Sequence, residues 1–501
     1  MSYPSPSAEE LLPLRKAISQ YQKLVGYCMA MTIVILLWGY DSVIVNNITA
    51  IPKFQEDYGQ PLASTTENET NWMIPSLWLG LWSSISNLGN AIGAIAGGWM
   101  QDRIGRRQCL LIGSIITAGS IFLMFFSNRS ADVDSRRSLL LIGKVIQGIA
   151  LGIIKIQTMT YISENVPTCL RGAIMALFPV FTLLGQLIGA LVIFSVEEYE
   201  SEKGYLIAMG SQWAFSIAPF ILAFIMPESP PYLVRRRDYP AARRSLERLF
   251  APKNNVDSAL ARIRESIEYE EKTAANVSYA ECFNPSNRRR TFVIIFANLL
   301  PPFFGLPLLS SISYFLQQVG MESRNSITCF MIGIALGLVA NVASTWTLSH
   351  VGRRKLTITT MAIASLLWGG MGISGFWQNA NITPWTTAAL GISVIVVCGV
   401  GCWPASYAIM SEASALRLRA KSQAIGGISA YVSAIVTYFV LPYFYNPDAL
   451  QLGAKTGFLF AGLCVIGAVT TYFLVPEMKG KTVLEIDQLF ERKVKARGSS
   501  E

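Results

Sequence analysis

Apolar residues in this chain come in long unbroken runs separated by short polar connectors. The runs lie near 25–46, 76–100, 109–127, 139–162, 173–195 and 208–226, then near 292–316, 327–348, 356–377, 385–410, 422–445 and 456–475. A hydrocarbon core about 30 Å thick takes roughly 20 apolar residues per helical crossing, so each run is long enough to cross a bilayer. The pattern predicts an all-α polytopic membrane protein with twelve transmembrane helices in two groups of six. Between the groups, a polar stretch over 228–290 contains "YPAARRSLERLF" and "VDSALARIRESIEYEEK", whose apolar residues recur at three and four. It predicts short amphipathic helices that brace the halves at one face of the bundle. The expected divisions are a tail over 1–24, a first half over 25–227, the linker over 228–290, a second half over 291–476 and a tail over 477–501.

Composition agrees with this pattern. Hydrophobic residues make up 52% and charged residues 15%, with a mean hydropathy of +0.40, more apolar surface than one soluble core buries. A soluble enzyme is therefore not expected. The glycines of "GNAIGAIAGG" (89–98) read as packing contacts between helices rather than as a phosphate loop. The first 24 residues are polar, and the run after them is too long for a signal peptide, so the first helix serves as its own anchor.

The net charge of +9 sits in connectors and in the linker, which points to membrane orientation and away from nucleic acid. Arg103, Arg106 and Arg107, then Arg353, Arg354 and Lys355, then Arg417, Arg419 and Lys421 fall on one side of a twelve-span topology. That side is predicted to be cytoplasmic, with both termini, and a plasma-membrane location is expected. Opposite connectors carry sequons at Asn68 and Asn128, candidate glycosylation sites. The eight cysteines are scattered, with no metal-ligand spacing, and the single histidine, His350, reads as a helix-end residue. No metal and no cofactor is expected.

Sliding the chain against itself exposes an internal repeat. Arg107 of "DRIGRR" and Arg354 of "HVGRR" are 247 apart, Glu164 and Glu412 are 248 apart, as are Arg171 and Arg419, and Glu228 and Glu477 are 249 apart. A duplicated six-helix unit accounts for this. Repeat transporters place substrate near the midplane between halves and expose it by rocking. Arg107, Glu164, Arg171, Arg354, Glu412 and Arg419 are the candidate latch: the glutamates would pair with connector arginines in an outward-facing state, and the pairs would break as the cytoplasmic side opens.

Ionisable residues inside spans cost about 2.5–3.5 kcal/mol each on insertion scales and are functional candidates by default. Asp41 lies in the first span, Lys144 and Lys155 in the fourth. Eleven residues apart on a helix is about 20° past three turns, so the lysines share a face that should look into the cavity. Asp41 is the natural partner of one of them, and a proton-carrying carboxylate predicts proton symport.

"GYD" (39–41), "DRIGRR" (102–107), "SENVPTCLRG" (163–172), "GQL" (185–187), "PESPPYL" (227–233), "SEASALRLRAK" (411–421) and "PEMKGKT" (476–482) resemble the sugar porter set of the major facilitator superfamily. The C-terminal "YNPDALQLGAKTGFLFAG" and "EIDQLFERKVKAR" look like the fungal maltose and α-glucoside permease branch. The resemblance implies a major facilitator fold and a monomeric sugar transporter. It further implies that Asp41 takes the proton, that Lys144 stands for the arginine that pairs with it, that Gln186 binds sugar, and that Tyr407 replaces a tryptophan lying against the ring. Pro301, Pro302 and Pro307 stand where hexose transporters carry amides, and Pro179 replaces a further glutamine. Lys155 has no counterpart in that pattern and offers a charge to an acidic substrate. Transport of an organic acid or secondary metabolite, or a nutrient sensor that transports nothing, are the alternatives.

Overall fold

The computed structural model describes residues 14–61, 72–250, 256–274, 278–285, 287–377, 380–414, 418–479, 485–486 and 490. The first half is α1 Gln22–Asn47, α2 Ser76–Ile104, α3 Arg106–Phe125, α4 Val133–Asn165, α5 Thr168–Val196 and α6 Lys203–Ile225. The second half is α7 Arg288–Phe303, α8 Ile312–Gln318, α9 Ser323–His350, α10 Arg353–Ser374, α11 Thr383–Val400, α12 Cys402–Ala413, α13 Arg419–Val440 and α14 Gly457–Leu474. Two of the expected twelve spans are broken. The seventh is divided between α7 and α8 by Pro301, Pro302 and the left-handed Gly305 (φ 88°), and the tenth between α11 and α12 at Gly401. Proline removes a backbone donor and clashes with the preceding turn, so a break here is what the sequence dictates. The Trp368 indole closes this one, donating to the freed Phe304 carbonyl at 3.0 Å.

Ten of the described helical segments are long and apolar enough to cross a membrane. The second span, α2, is long but more polar. Its Ser86, Asn87 and Asn90 donate back to Trp82, Ser83 and Ser86 carbonyls of the same helix, which gives these donors partners inside a bilayer. The only strands among the described residues, Gln60–Pro61 and Trp72–Met73, form a two-residue antiparallel ladder.

The "GNAIGAIAGG" glycines are packing contacts, as expected. Gly89, Gly93 and Gly97 recur at four along α2 and face α4, where a Cβ on Gly89 would lie 2.7 Å from the Val145 carbonyl oxygen. Gly148 and Gly152 face back from α4, so the two backbones touch. Between halves, α2 packs on α13 and α5 on α9.

The linker forms the helices Tyr239–Leu249 and Val256–Ala274. Leu249 and Phe250 pack with Tyr21, Leu24 and Cys28, so the first of these helices rests under the first half. The turn Tyr279–Phe283 attaches instead to α7, where Thr291 Oγ1 donates to the Cys282 carbonyl at 2.6 Å.

The glycine contact makes a stability prediction. Gly93→Val should cost at least about 1–3 kcal/mol through overpacking. Gly98→Val, at a position with nothing within 4 Å, should be neutral. Melting temperature in detergent and surface abundance read the difference; equal loss in both variants counts against the contact.

Candidate transport site

Asp41 is 6% exposed and lies on α1 against α4 and α6. Its carboxylate accepts from Gln147 Nε2, which also donates to Gln212 Oε1 at 2.6 Å. The expected pairing with Lys144 is not formed: no ion pair joins the two among the described residues. Lys144, 2% exposed, donates to the Val45 carbonyl at 3.0 Å, with its ammonium 5.3 Å from the centre of the Trp82 ring. The reason is geometric. α1 and α4 run antiparallel, so Lys144, one turn before Gln147 on α4, faces α1 one turn beyond Asp41. There the last turn of α1 presents carbonyls short of intrahelical donors at the negative end of the helix dipole.

Lys155 faces α1 on the other side of Asp41. Its ammonium stands 3.8 Å from the centre of the Trp38 ring, half-buried, with no ion pair among the described residues. A cation–π contact is worth about 0.5–2 kcal/mol, against about 2.5–3.5 kcal/mol for a mid-span lysine, so Trp38 alone does not balance the charge. One turn on from Trp38, Ser42 Oγ accepts from Gln186 Nε2 at 3.4 Å, which brings Lys155 and Gln186 to one face of α1. Tyr407 lies on α12 in the other half and is 57% exposed.

At the arginine-rich end the repeated charges do meet, with different partners from those expected. Arg106, 1% exposed, grips Glu164 through Nε at 3.1 Å and a terminal nitrogen at 2.6 Å; Arg353 grips Glu412 at 3.1 and 2.8 Å. Arg107 and Arg354, the expected partners, turn away and donate to carbonyls of Ala223 and Tyr472. One residue is 100° of helix rotation, so the first arginine of each pair faces the buried neighbour and the second faces outward. Glu228 accepts from the backbone nitrogens of Arg106 and Arg107 at 2.9 and 3.2 Å, capping α3, and Glu477 caps α10 through Arg353 at 3.0 Å. Ser229 closes the first cluster by donating to Glu164 at 2.5 Å. Arg419 is exposed and donates to the Ser411 carbonyl at 3.2 Å; the side chain of Arg171 lies outside the described residues. Each cluster ties helices within one half, so in this structure these pairs act as struts.

Polar contacts between halves gather at the opposite end. Asn47, fully buried, donates to the Ser310 carbonyl at 3.0 Å and accepts from Ser313 at 2.6 Å. Gln55 donates to Gln317 at 2.8 Å, and Gln317 to the Ala50 carbonyl at 2.8 Å. Asp448, beyond α13, caps α2 of the other half by accepting from the Ser76 backbone nitrogen at 2.7 Å and from its hydroxyl. Asn446 donates to the Ile74 carbonyl at 2.8 Å beside it. These residues form a clamp that closes this end, above a small cavity lined by Asn46, Trp82, Lys144, Ser311 and Tyr438. Sequence reasoning missed the clamp, as it missed Gln147, Gln212 and Trp38. Asn68 lies outside the described residues. Asn128 corrects an expectation: it is 7% exposed, and the nitrogen a glycan would occupy donates to Glu202 at 2.8 Å.

A family model described as sugar (and other) transporter matches residues 27–490. The chain belongs to that family. An MFS transporter of Aspergillus fumigatus is 31% identical over 91% of this chain and 83% of its own length. An α-glucosides permease of Saccharomyces cerevisiae is 28% identical over 98% of this chain and 81% of its own, and a maltose permease of the same yeast is 27% identical over 98% and 79%. Among solved structures, the inward-open xylose transporter XylE from E. coli superposes with a TM-score of 0.74 at 17% identity, over 93% of this chain and 99% of that one. The same symporter bound to 6-bromo-6-deoxy-D-glucose gives 0.68 at 18%, over 94% and 99%. The fold is thus the major facilitator fold, and the chain is a multi-pass membrane transporter working by alternating access.

Two predictions follow for this sugar-transporter family member. Glu164→Gln removes the carboxylate charge that grips the buried Arg106, leaving it the Gln101 carbonyl and the exposed Asp102 at 3.5 Å, and should cost on the order of 3 kcal/mol. Glu412→Gln, whose pair is partly exposed, should cost about 1 kcal/mol. Thermal melting of the purified protein ranks them; equal shifts would argue against the burial difference as the cause. Asp448→Ala removes the clamp's cap and should raise the labelling rate of a cysteine placed at Asn46 severalfold. An unchanged rate means the cap does not hold this end shut.

Proposed function

We propose that this protein is a proton-coupled symporter of sugars or closely related polyols. It acts as a monomer in the plasma membrane, with the arginine-rich end and both termini cytoplasmic. Under that orientation the clamp closes the exterior end.

The observation that carries the proton coupling is the Asp41 site. A carboxylate buried inside a span is held there by the neutral amide of Gln147 and not by a fixed cation. An ion pair would lock the carboxylate in its charged form, whereas a neutral partner lets it take and release a proton as its surroundings change. Lys144, one turn away, supplies a positive charge whose approach or withdrawal biases that exchange. The permease relatives support a sugar-like substrate, and Gln186, Ser42 and Tyr407 offer the amide, hydroxyl and aromatic groups that such a substrate needs. A second reading, a less polar secondary metabolite, is favoured by Pro301, Pro302 and Pro307, which occupy the broken seventh span where amides would otherwise meet sugar hydroxyls.

Radiolabelled uptake in transporter-deficient yeast, over glucose, xylose, maltose and a non-sugar panel, tests the reading. Uphill accumulation of a sugar should collapse with a protonophore. Asp41→Asn should abolish accumulation and leave downhill exchange partly intact. Accumulation that survives either treatment would sink the proton coupling, and uptake confined to non-sugars would sink the substrate class.

A further inference from the structure

The ammonium of Lys155 is the charge that the transport cycle proposed above leaves unused. It sits inside the fourth span at the face that carries Gln186 and Ser42 to the same side of α1, and its one described partner is the ring of Trp38 at 3.8 Å. An indole face attracts a cation without neutralising it. The carboxylate nearest along the bundle, Asp41, is engaged by Gln147, which lies eight residues earlier on α4. A half-buried ammonium with an aromatic wall on one side and polar donors beside it is the arrangement that recognises an anion.

We propose that Lys155 is a specificity-determining residue and that the substrate is a sugar-derived acid. Its single carboxylate docks on the ammonium, and its hydroxyls lie within reach of Gln186 and Ser42. One ammonium matches one negative charge, so a carboxylate suits the site better than a doubly charged phosphate ester. Trp38, 3.8 Å from the ammonium, keeps the lysine head against α1, beside the turn that carries Ser42. This inference rests on the sugar-transport reading and narrows it from neutral sugars to their acids.

The test uses the full-length protein in transporter-deficient cells, with gluconate and glucuronate as acidic probes, maltose and glucose as neutral ones, and glucose 6-phosphate as a doubly charged control. In the wild type, gluconate or glucuronate should be taken up and should compete with any neutral substrate, and the phosphate ester should compete poorly. Lys155→Gln should raise KM for the acids about 10- to 100-fold, the range set by a hydrogen bond to a charged group, and leave neutral substrates within about twofold. Lys155→Arg, which keeps the charge, should retain acid transport. Equal change for acids and neutral sugars in Lys155→Gln overturns the proposal, as does a wild type that transports maltose or glucose while neither acid is carried or competes. The wild-type competition decides alone if Lys155→Gln fails to reach the surface. A wild type at normal surface level that carries none of the sugars or acids instead overturns the sugar-transport reading, and this inference with it.

Discussion

A bilayer offers no water to a polar group, so each charge placed inside it must be met by a neighbouring helix, and the first half of this transporter is organised around that demand. Asp41, Lys144 and Lys155 lie deep within its spans, and each is met differently: Asp41 by an amide, Lys144 by a backbone carbonyl, Lys155 by an indole. None is met by a fixed opposite charge. A buried pair of opposite charges loses several kcal/mol when one member is removed and so resists change during a cycle. Neutral partners give up less when a proton or a substrate arrives, which suits groups that must change their bonding.

The second half meets a different demand. Its seventh span is divided at Gly305, and α8 carries Ser313 and Gln317 onto α1 and its extension at the closed end. Rocking of two halves requires each to move as one body. The Arg106–Glu164 and Arg353–Glu412 clusters, each completed by a carboxylate that caps the following helix, fix the arginine-rich ends of the two halves internally. The duplication conserved these struts because each half needs its own. Asp41, Lys144 and Lys155 have no charged counterparts in the second half.

How much of this was legible in the sequence follows from the range of each interaction. The spans and the glycine contact are local patterns, and the structure reproduces them save for the breaks at Gly305 and Gly401; the repeat, a self-similarity at long period, returns as one charged cluster in each half. The strut glutamates were found, but the arginine was assigned one residue late, because a contiguous pair does not say which member faces inward until the rotation of α3 against α4 is known. Lys144 was expected to seek a carboxylate; a carbonyl at a helix end leaves no mark in the sequence. Gln147 and Gln212 were findable, since an amide within a span needs a partner as a lysine does. The clamp was not: Ser76 and Asp448 are separated by 372 positions, and the stretch that holds Asp448 gives no sign of its partner.

The last turn of α1 links the two ends of the argument. Lys144 donates to Val45, and two residues later Asn47 holds Ser310 and Ser313 of the opposite half. The ion site and the clamp therefore share one helical turn. A lysine that leaves the Val45 carbonyl for an ionised Asp41 removes a donor from that turn and draws positive charge away from the negative end of the α1 dipole. Asn47 stands on the backbone that these changes act on. In the cycle proposed above, a protonated Asp41 exerts no such pull, and the lysine stays with Val45 while the clamp is shut. The proposed proton coupling is in this way tied to the clamp by a single short stretch of main chain, with no longer pathway required.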